Sequence, residues 1–284
     1  MNVPYGTRVI NDLVKKRGFF QNNLIRVSDL LSLLLGTRFP KSFPFVFVIA
    51  YPKSGHTWAG QLIADYLQLP APQNTLLPIG HPAVLFTHHR VWKGFQRGVY
   101  VVRDGRDIMT SLFCHNPSWH ARIHLSGLGK KARDNNDIAA FVEWQLSAKK
   151  PASSYVNWPA HVRSYFEANN SNLLLTKYED LHREGEKTLG NIVSNLTEEL
   201  ADLDKVRIAL DKYSFTKQTG RLPGQEAAQD TWARKGQAGD WINYFTPEAA
   251  EVFDHYAGDI LIELGYEEDH CWVDSFRETF QSKK

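Results

Sequence analysis

The chain reads as a single α/β domain with a central, mainly parallel sheet flanked by helices. Three observations predict it. Short apolar runs recur without polar alternation, helix-periodic segments separate them, and each apolar run passes at once into polar, chemically capable residues.

The runs are "FVFVIA" (45–50), "AVLF" (83–86), "GVYVV" (98–102) and "NLLLT" (172–176). Continuous β-branched and aromatic residues suit strands buried on both faces, as in a parallel sheet. Between them, "TWAGQLIADYL" (57–67) gathers Trp58, Leu62, Ile63, Tyr66 and Leu67 on one helical face. A second helix starts in "RDIMTSLF" (106–113). A third, "DIAAFVEWQLSAKK" (137–150), has Asp137 near its start and lysines at its end, matching the helix dipole. The clearest is "TPEAAEVFDHYAGDILIELG" (246–265), with Thr246 as cap, Pro247 in the first turn and Gly265 just past the end.

Composition narrows the function. A chain of 284 residues holds one large domain or two small ones. A formal charge of +2 gives no global attraction for nucleic acid or an anionic membrane, so any anion must be held by a local cluster. The two cysteines, Cys114 and Cys271, form no CxxC pair and read as buried free thiols. "LLSLLLG" (30–36) is too short to span a bilayer, and no signal-peptide pattern precedes it, so a cytoplasmic protein is expected.

The residues after the strands carry the chemistry. They are Pro52-Lys53-Ser54-Gly55, Thr87-His88-His89, Arg103-Asp104-Gly105-Arg106 and Lys177-Tyr178-Glu179-Asp180. Ligands of open α/β sheets bind outside the carboxyl ends of the strands, so these four ends should meet at one crevice. "PKSGHTW" (52–58), between a strand and a helix, has the layout of an anion cradle: turn amides and a helix N-terminus, with Lys53 as a charge and Ser54 and Thr57 as hydroxyl donors. It lacks the GxxxxGK[ST] order of a Walker A loop. In "VVRDGRDIMTSLF", Arg103 and Ser111 suit a second phosphate, whereas Arg106 reads as a surface ion-pair partner of Asp104 or Asp107. "RKGQAGDW" (234–241) supplies Arg234, Lys235 and the amide of Gly236 on a flexible loop. In "FTHH", His88 is the candidate general base and His89 its flanking neighbour.

In this order, the residues resemble the PAPS-dependent sulfotransferases of the cytosolic type. "YPKSGHTW" is similar to the family's 5′-phosphosulfate loop YPKSGTTW, "VVRDGRDIMTS" to its 3′-phosphate motif, and "RKGQAGDWINYFT" to its RKGxxGDWKNxFT segment. "KYEDL" (177–181) resembles a further signature. The likeness runs from about residue 45 to 265 and leaves the first 40 residues uncovered.

The resemblance implies one domain with a P-loop-like nucleotide site. The implied sulfuryl donor is 3′-phosphoadenosine 5′-phosphosulfate (PAPS), with its 3′,5′-bisphosphate (PAP) as product and no metal. Lys53, Ser54, Gly55, His56, Thr57 and Trp58 would hold the 5′ end and the adenine side. Arg103, Ser111, Arg234, Lys235 and Gly236 would hold the 3′-phosphate, with Tyr178 and Phe215 beside the adenine. His88 would take the acceptor's proton, and Lys53 would neutralise the departing nucleotide.

Three positions depart from the family pattern. His56 replaces a threonine, and is either a hydrogen-bond donor to the sulfonate or a tolerated loop residue. Phe86 replaces the lysine of the family's KTH segment. "INYFTPEAAE" keeps only the threonine and glutamate of the dimerisation pattern KxxxTVxxxE, which argues against a dimer of that type. A kinase-like phosphotransferase and a catalytically silent PAPS or PAP binder are the competing readings. A small-molecule acceptor with an apolar or aromatic part is expected, with a lipophilic alcohol, a phenol, an amine and a sugar all open. Its candidate lining is Trp92, Phe95, Trp119, Trp144 and Trp158, with a gating loop around His115, His120 and His124.

Overall fold

The computed structural model describes residues 19–72, 81–114, 128–147, 156–226 and 233–282. A helix, α1 (Phe19–Arg38), precedes strand β1 (Phe45–Ala50). Then come α2 (His56–Leu67), β2 (Ala83–Thr87), β3 (Gly98–Val102), α3 (Gly105–Cys114), α4 (Leu128–Asp134), α5 (Ile138–Ser147), α6 (Trp158–Ala168) and β4 (Leu173–Lys177). The rest is helical: α7 (Tyr178–Arg183), α8 (Gly185–Thr197), α9 (Leu203–Lys212), α10 (Phe215–Thr219), a 3₁₀ turn (Asp240–Asn243), α11 (Pro247–Glu263) and α12 (Trp272–Ser282).

All four strands are parallel, in the order β2-β1-β3-β4. The expected parallel α/β sheet is therefore present. Every residue of β1 is buried because both faces of the sheet are covered. Phe45, Phe47 and Ile49 pack with Tyr100, Ile108, Trp158 and Phe253, while Val46, Val48 and Ala50 pack with Leu62, Ile63, Leu189 and Val206. A strand buried twice has no polar side, which is why its sequence shows no alternation.

β1 has β2 on one side and β3 on the other. The chain thus changes direction at β1, and a crevice opens between the carboxyl ends of β1 and β3. The anticipated caps are in place. The Thr246 side chain accepts from the amide of Ala249, Pro247 opens α11, and Gly265 follows it with φ +66°. Asp137 accepts from the amide of Ala140 at the start of α5, whose expected tail at 148–150 lies outside the described residues. β4 is shifted by one residue from the expected 172–176, its ladder with β3 starting at Leu173 opposite Gly98 and ending at Lys177 opposite Val102.

Two expectations are corrected here. Cys271 is exposed and Cys114 is half-buried, so neither is a buried core thiol. Arg106 forms the expected ion pair with Asp104 at 2.8 Å, but not at the surface. It is buried, pairs also with Glu267, and lies over the rings of Trp241 at 4.0 Å and Trp272 at 4.7 Å. Aromatic faces and carboxylates together make burial of that guanidinium tolerable.

Candidate functional site

The turn after β1 sets the geometry. Lys53 (φ +72°) and Gly55 (φ +83°) both have left-handed backbones, which folds residues 52–55 into a tight loop leading into α2. For a lysine that conformation costs about 1–2 kcal/mol. Arg103, at the end of β3, donates from Nη1 to the Lys53 carbonyl at 3.2 Å, so the neighbouring strand end helps to hold the loop. A Cβ on Gly55 would come within 2.4 Å of the Tyr178 ring, which sits directly behind the loop.

Arg103 is the hub. Its Nη2 donates to Asp107 at 3.2 Å and to the Gln237 carbonyl at 2.9 Å, and its guanidinium stacks on Tyr178 at 4.6 Å. Burial opposes its charge, yet Tyr178, Asp107 and Glu179 keep its pKa above the ordinary arginine value. Asp107 also accepts from the amides of Gly239 and Trp241 at 2.7 and 2.9 Å, which fastens the "RKGQAGDW" loop to α3. Glu179 accepts from the amide of Asp104 and the hydroxyl of Tyr266, tying the ends of β3 and β4 together.

Between these elements lies a cavity of about 450 Å³. Lys53, Gly55, His56, Thr57 and Trp58 line its β1 side, and Arg103, Ser111 and Tyr178 its floor. Phe215, Arg234, Lys235 and Gly236 line the far side. A Cβ on Gly236 (φ +62°) would lie 2.2 Å from the Phe215 ring, so that loop needs glycine both for its backbone and for the aromatic against it.

Two expected residues lie beside the cavity. Ser54 is buried beneath the loop. His88 reaches it through His56, the two rings being 4.3 Å apart and edge-to-face. His89 is exposed, as expected of a flanking residue.

The electrostatics differ around the cavity. Burial, then Arg103 and Arg234, lower the Lys53 pKa to about 8. Burial, His88 and Lys53 hold His56 well below the ordinary histidine range, so His56 is neutral. Burial lowers His88 as well, although its bond to the Ala50 carbonyl works the other way. That bond is 2.6 Å from Nδ1. A carbonyl only accepts, so Nδ1 carries the proton and the ring's lone pair is on Nε2. Arg234 and Lys235 instead pair with Asp240 and Glu226, and Tyr244 bonds both.

Several contributors escaped the motif reading. Asp107, expected only as a surface partner of Arg106, bonds Arg103 instead, Asp240 bonds Arg234, and Glu179 accepts from the amide of Asp104. His182 packs on Trp58 at 4.6 Å and Tyr178 at 4.5 Å. Burial and Arg103 lower its pKa to about 4. Its position four residues after Tyr178 on one helix was the available signal.

The proposed acceptor aromatics divide. Phe95 and Trp158 are fully buried core residues, and Trp144 packs on Phe141 at 5.8 Å. Trp92 is partly exposed, packed on Phe95 at 4.2 Å. Trp119 and the gate around His115, His120 and His124 lie outside the described residues. Phe86 fills the space over Gly60, where a Cβ would lie 2.0 Å from its ring, and meets His56 at 5.8 Å. The two unusual residues of the site are thus in contact.

Buried donors suit an anion here. Ser54 Oγ and Arg103 Nε have no hydrogen-bond partner among the described residues, and both belong to segments bordering the cavity. The family model for the sulfotransferase domain matches residues 80–265, about two thirds of the chain. The amine sulfotransferase of Oryctolagus cuniculus is 24% identical over 250 residues, 74% of this chain and 78% of that protein. Sulfotransferase 2A6 of Rattus norvegicus is 22% identical over 249 residues, with 74% and 81% covered. Mouse sulfotransferase SULT7A1 complexed with PAP shares the fold, with a TM-score of 0.60, 22% identity, and 90% of this chain and 95% of that one covered. So does retinol dehydratase in complex with androsterone and inactive cofactor PAP, at 0.57, 17% identity, and 82% and 85% covered. These relationships do not favour a kinase-like transferase or a silent binder; the chain belongs to the sulfotransferase family of the cytosolic type and is a PAPS-dependent sulfotransferase.

Proposed function

We propose that the cavity holds the donor lengthwise, with His88 as general base toward a small acceptor's hydroxyl or amine. The observation that carries this reading is that Lys53 and Arg103 open on one cavity and are joined through the Lys53 carbonyl. A donor with two separated anionic ends needs two separated cationic sets. Lys53, Ser54, Gly55, His56 and Thr57 take the 5′ end. Arg103, Ser111, Arg234, Lys235 and Gly236 take the 3′-phosphate. Trp58, Tyr178 and Phe215 hold the adenine. The site lies in one domain spanning the chain.

In the reaction, His88 Nε2 accepts the acceptor's proton as the acceptor oxygen or nitrogen bonds to sulfur. The bond from sulfur to the 5′-phosphate oxygen breaks, and Lys53 stabilises the charge left on that oxygen. Positioning and charge stabilisation supply most of the rate, by analogy with phosphoryl transfer.

An apolar part in the acceptor fits Phe86, which puts an aromatic ring against His56, itself edge-to-face with His88. The amine-specific name of one relative, and the androsterone bound by another, support amine or hydroxyl acceptors with apolar bodies.

The test is His88→Ala, with turnover measured on a panel of phenols, alcohols and amines and PAP affinity measured alongside. Turnover should fall about 10²–10⁴-fold, the usual contribution of a general base, with PAP affinity little changed. Near-normal turnover would remove His88 from the role.

A further inference from the structure

Helix α1 is built inside out. The face it turns to the protein carries Ser28, Ser32 and Leu33, exposed by 3%, 2% and 8%, and Gly36, where a Cβ would lie 2.6 Å from the Phe45 ring. The hydroxyls of Ser28 and Ser32 are buried with no hydrogen-bond partner among the described residues. The opposite face carries Val27, Leu30, Leu31 and Leu34, exposed by 54%, 53%, 42% and 58%. Positions 27, 30, 31 and 34 fall on one stripe of an α-helix. A surface helix in water turns that stripe inward. Contact through small residues four apart, with leucines outward, is instead how helices pack in apolar surroundings.

The border of the stripe is aromatic and basic. Phe39 follows the helix, 53% exposed, with the Arg38 guanidinium 5.9 Å from its ring centre. The neighbouring loop presents Trp92 and Lys93, both exposed, and Gly94 lies against both Trp92 and Thr37 of α1. Lys41 is exposed just beyond. The first 41 residues carry seven Lys or Arg against two acidic residues, in a chain with 33 and 31 overall. The near-neutral total therefore conceals a basic N-terminal region on a mildly acidic remainder.

We propose that this face of α1 docks in the plane of an anionic lipid bilayer, the leucines entering the headgroup boundary and Arg38, Lys41 and Lys93 meeting lipid phosphates. Tryptophan and basic residues beside an outward apolar stripe are the composition of an interfacial helix. None of the described helices is long and apolar enough to cross a membrane, which fits docking rather than spanning. A second copy is the poorer occupant. A two-fold contact across the stripe would gather basic residues from both copies, and residues 27–41 offer only Asp29 against them. An anionic surface complements the same charges.

The test uses the full chain and co-sedimentation with vesicles of phosphatidylcholine alone and of phosphatidylcholine with phosphatidylserine. The protein should partition onto the anionic vesicles about tenfold more strongly, and added salt should weaken the binding. Leu30→Gln/Leu34→Gln should lose about tenfold on anionic vesicles, while its melting temperature and PAP affinity stay as in the wild type, since both leucines are already exposed. Arg38→Ala/Lys41→Ala should remove only the preference for anionic lipid. Absence of wild-type binding to either vesicle overturns the proposal, as does unchanged binding by the leucine variant. A wild-type dimer in light scattering that the leucine variant converts to monomer would assign the face to a second copy instead.

Discussion

Lys53 and Lys235 face the same cavity, yet their surroundings push the two ammonium groups in opposite directions. Lys53 is held down to about 8 by burial and by the guanidinium groups of Arg103 and Arg234. Burial also works against Lys235, but hydrogen bonds with Asp240 and Tyr244 raise it. The Lys53 end is thus a stored repulsion that an incoming anion relieves. The Lys235 end is already neutralised, and an anion there must share its cations with Asp240 and Glu226. Equal formal charge at two subsites therefore does not mean equal attraction, and the Lys53 end should dominate both donor capture and transition-state stabilisation.

The most severe challenge to this comparison is Lys53→Met, which keeps the stem and removes the charge. It should lower kcat/KM about 10³-fold, the scale of losing one preorganised electrostatic contact in a buried site. Proton counting sharpens the result. A bound dianion favours the charged amine and raises its pKa. Wild-type protein should therefore take up protons on binding PAP at pH values near and above 8, and this Lys53 contribution should vanish near pH 6, where Lys53 is already charged and only the phosphates of PAP still exchange protons. Calorimetry in buffers of differing ionisation enthalpy reads this directly. If Lys53→Met takes up as many protons as the wild type, the repulsion does not reside on Lys53.

The same contrast marks what the sequence could disclose. Strands β1 and β3 were legible to the residue, because burial on both faces leaves an uninterrupted apolar run. The cationic residues were legible because they stand at the ends of those runs. Their carboxylate partners were legible only in part: Asp107 stood out as a local ion-pair candidate, but its hold on the amides of Gly239 and Trp241, far along the chain, did not. Arg106 shows the same limit. Its pairing with Asp104 is local and readable, but its burial depends on Trp241 and Trp272 arriving from elsewhere. Helix α8 carries an apolar stripe of Leu189, Ile192, Val193 and Leu196, so its period is legible in the sequence, whereas α7, six residues long, is too short to show one.

His56 gives a smaller contrast within the Lys53 end itself. Its ring is neutral and begins α2, whereas Lys53 brings charge. Should its ring donate to the transferring group, a neutral donor would matter less than the lysine. His56→Ala is expected to reduce kcat about tenfold with PAP affinity nearly unchanged, a fraction of a preorganised donor's usual contribution. His56→Thr, which restores the family residue, should recover part of the loss. Were His56→Ala to match wild-type turnover, the imidazole would be a tolerated loop residue and Phe86 its packing partner only.

The smallest expected effect tests the neutralised end. Glu226 is largely exposed and lies 3.6 Å from Arg234 and 3.4 Å from Lys235. Exposed ion pairs contribute about 0–1 kcal/mol. Glu226→Gln should therefore tighten PAP binding only about threefold, by removing a competitor for the 3′-phosphate while leaving buried Asp240 to hold both cations in place. The gain should shrink as salt rises, because a partly exposed charge is screened. Titration of PAP at two ionic strengths separates the outcomes. A salt-sensitive tightening means that carboxylate competition limits this end. Weaker binding would mean that Glu226 orders the loop, and then the two ends differ in rigidity rather than in charge.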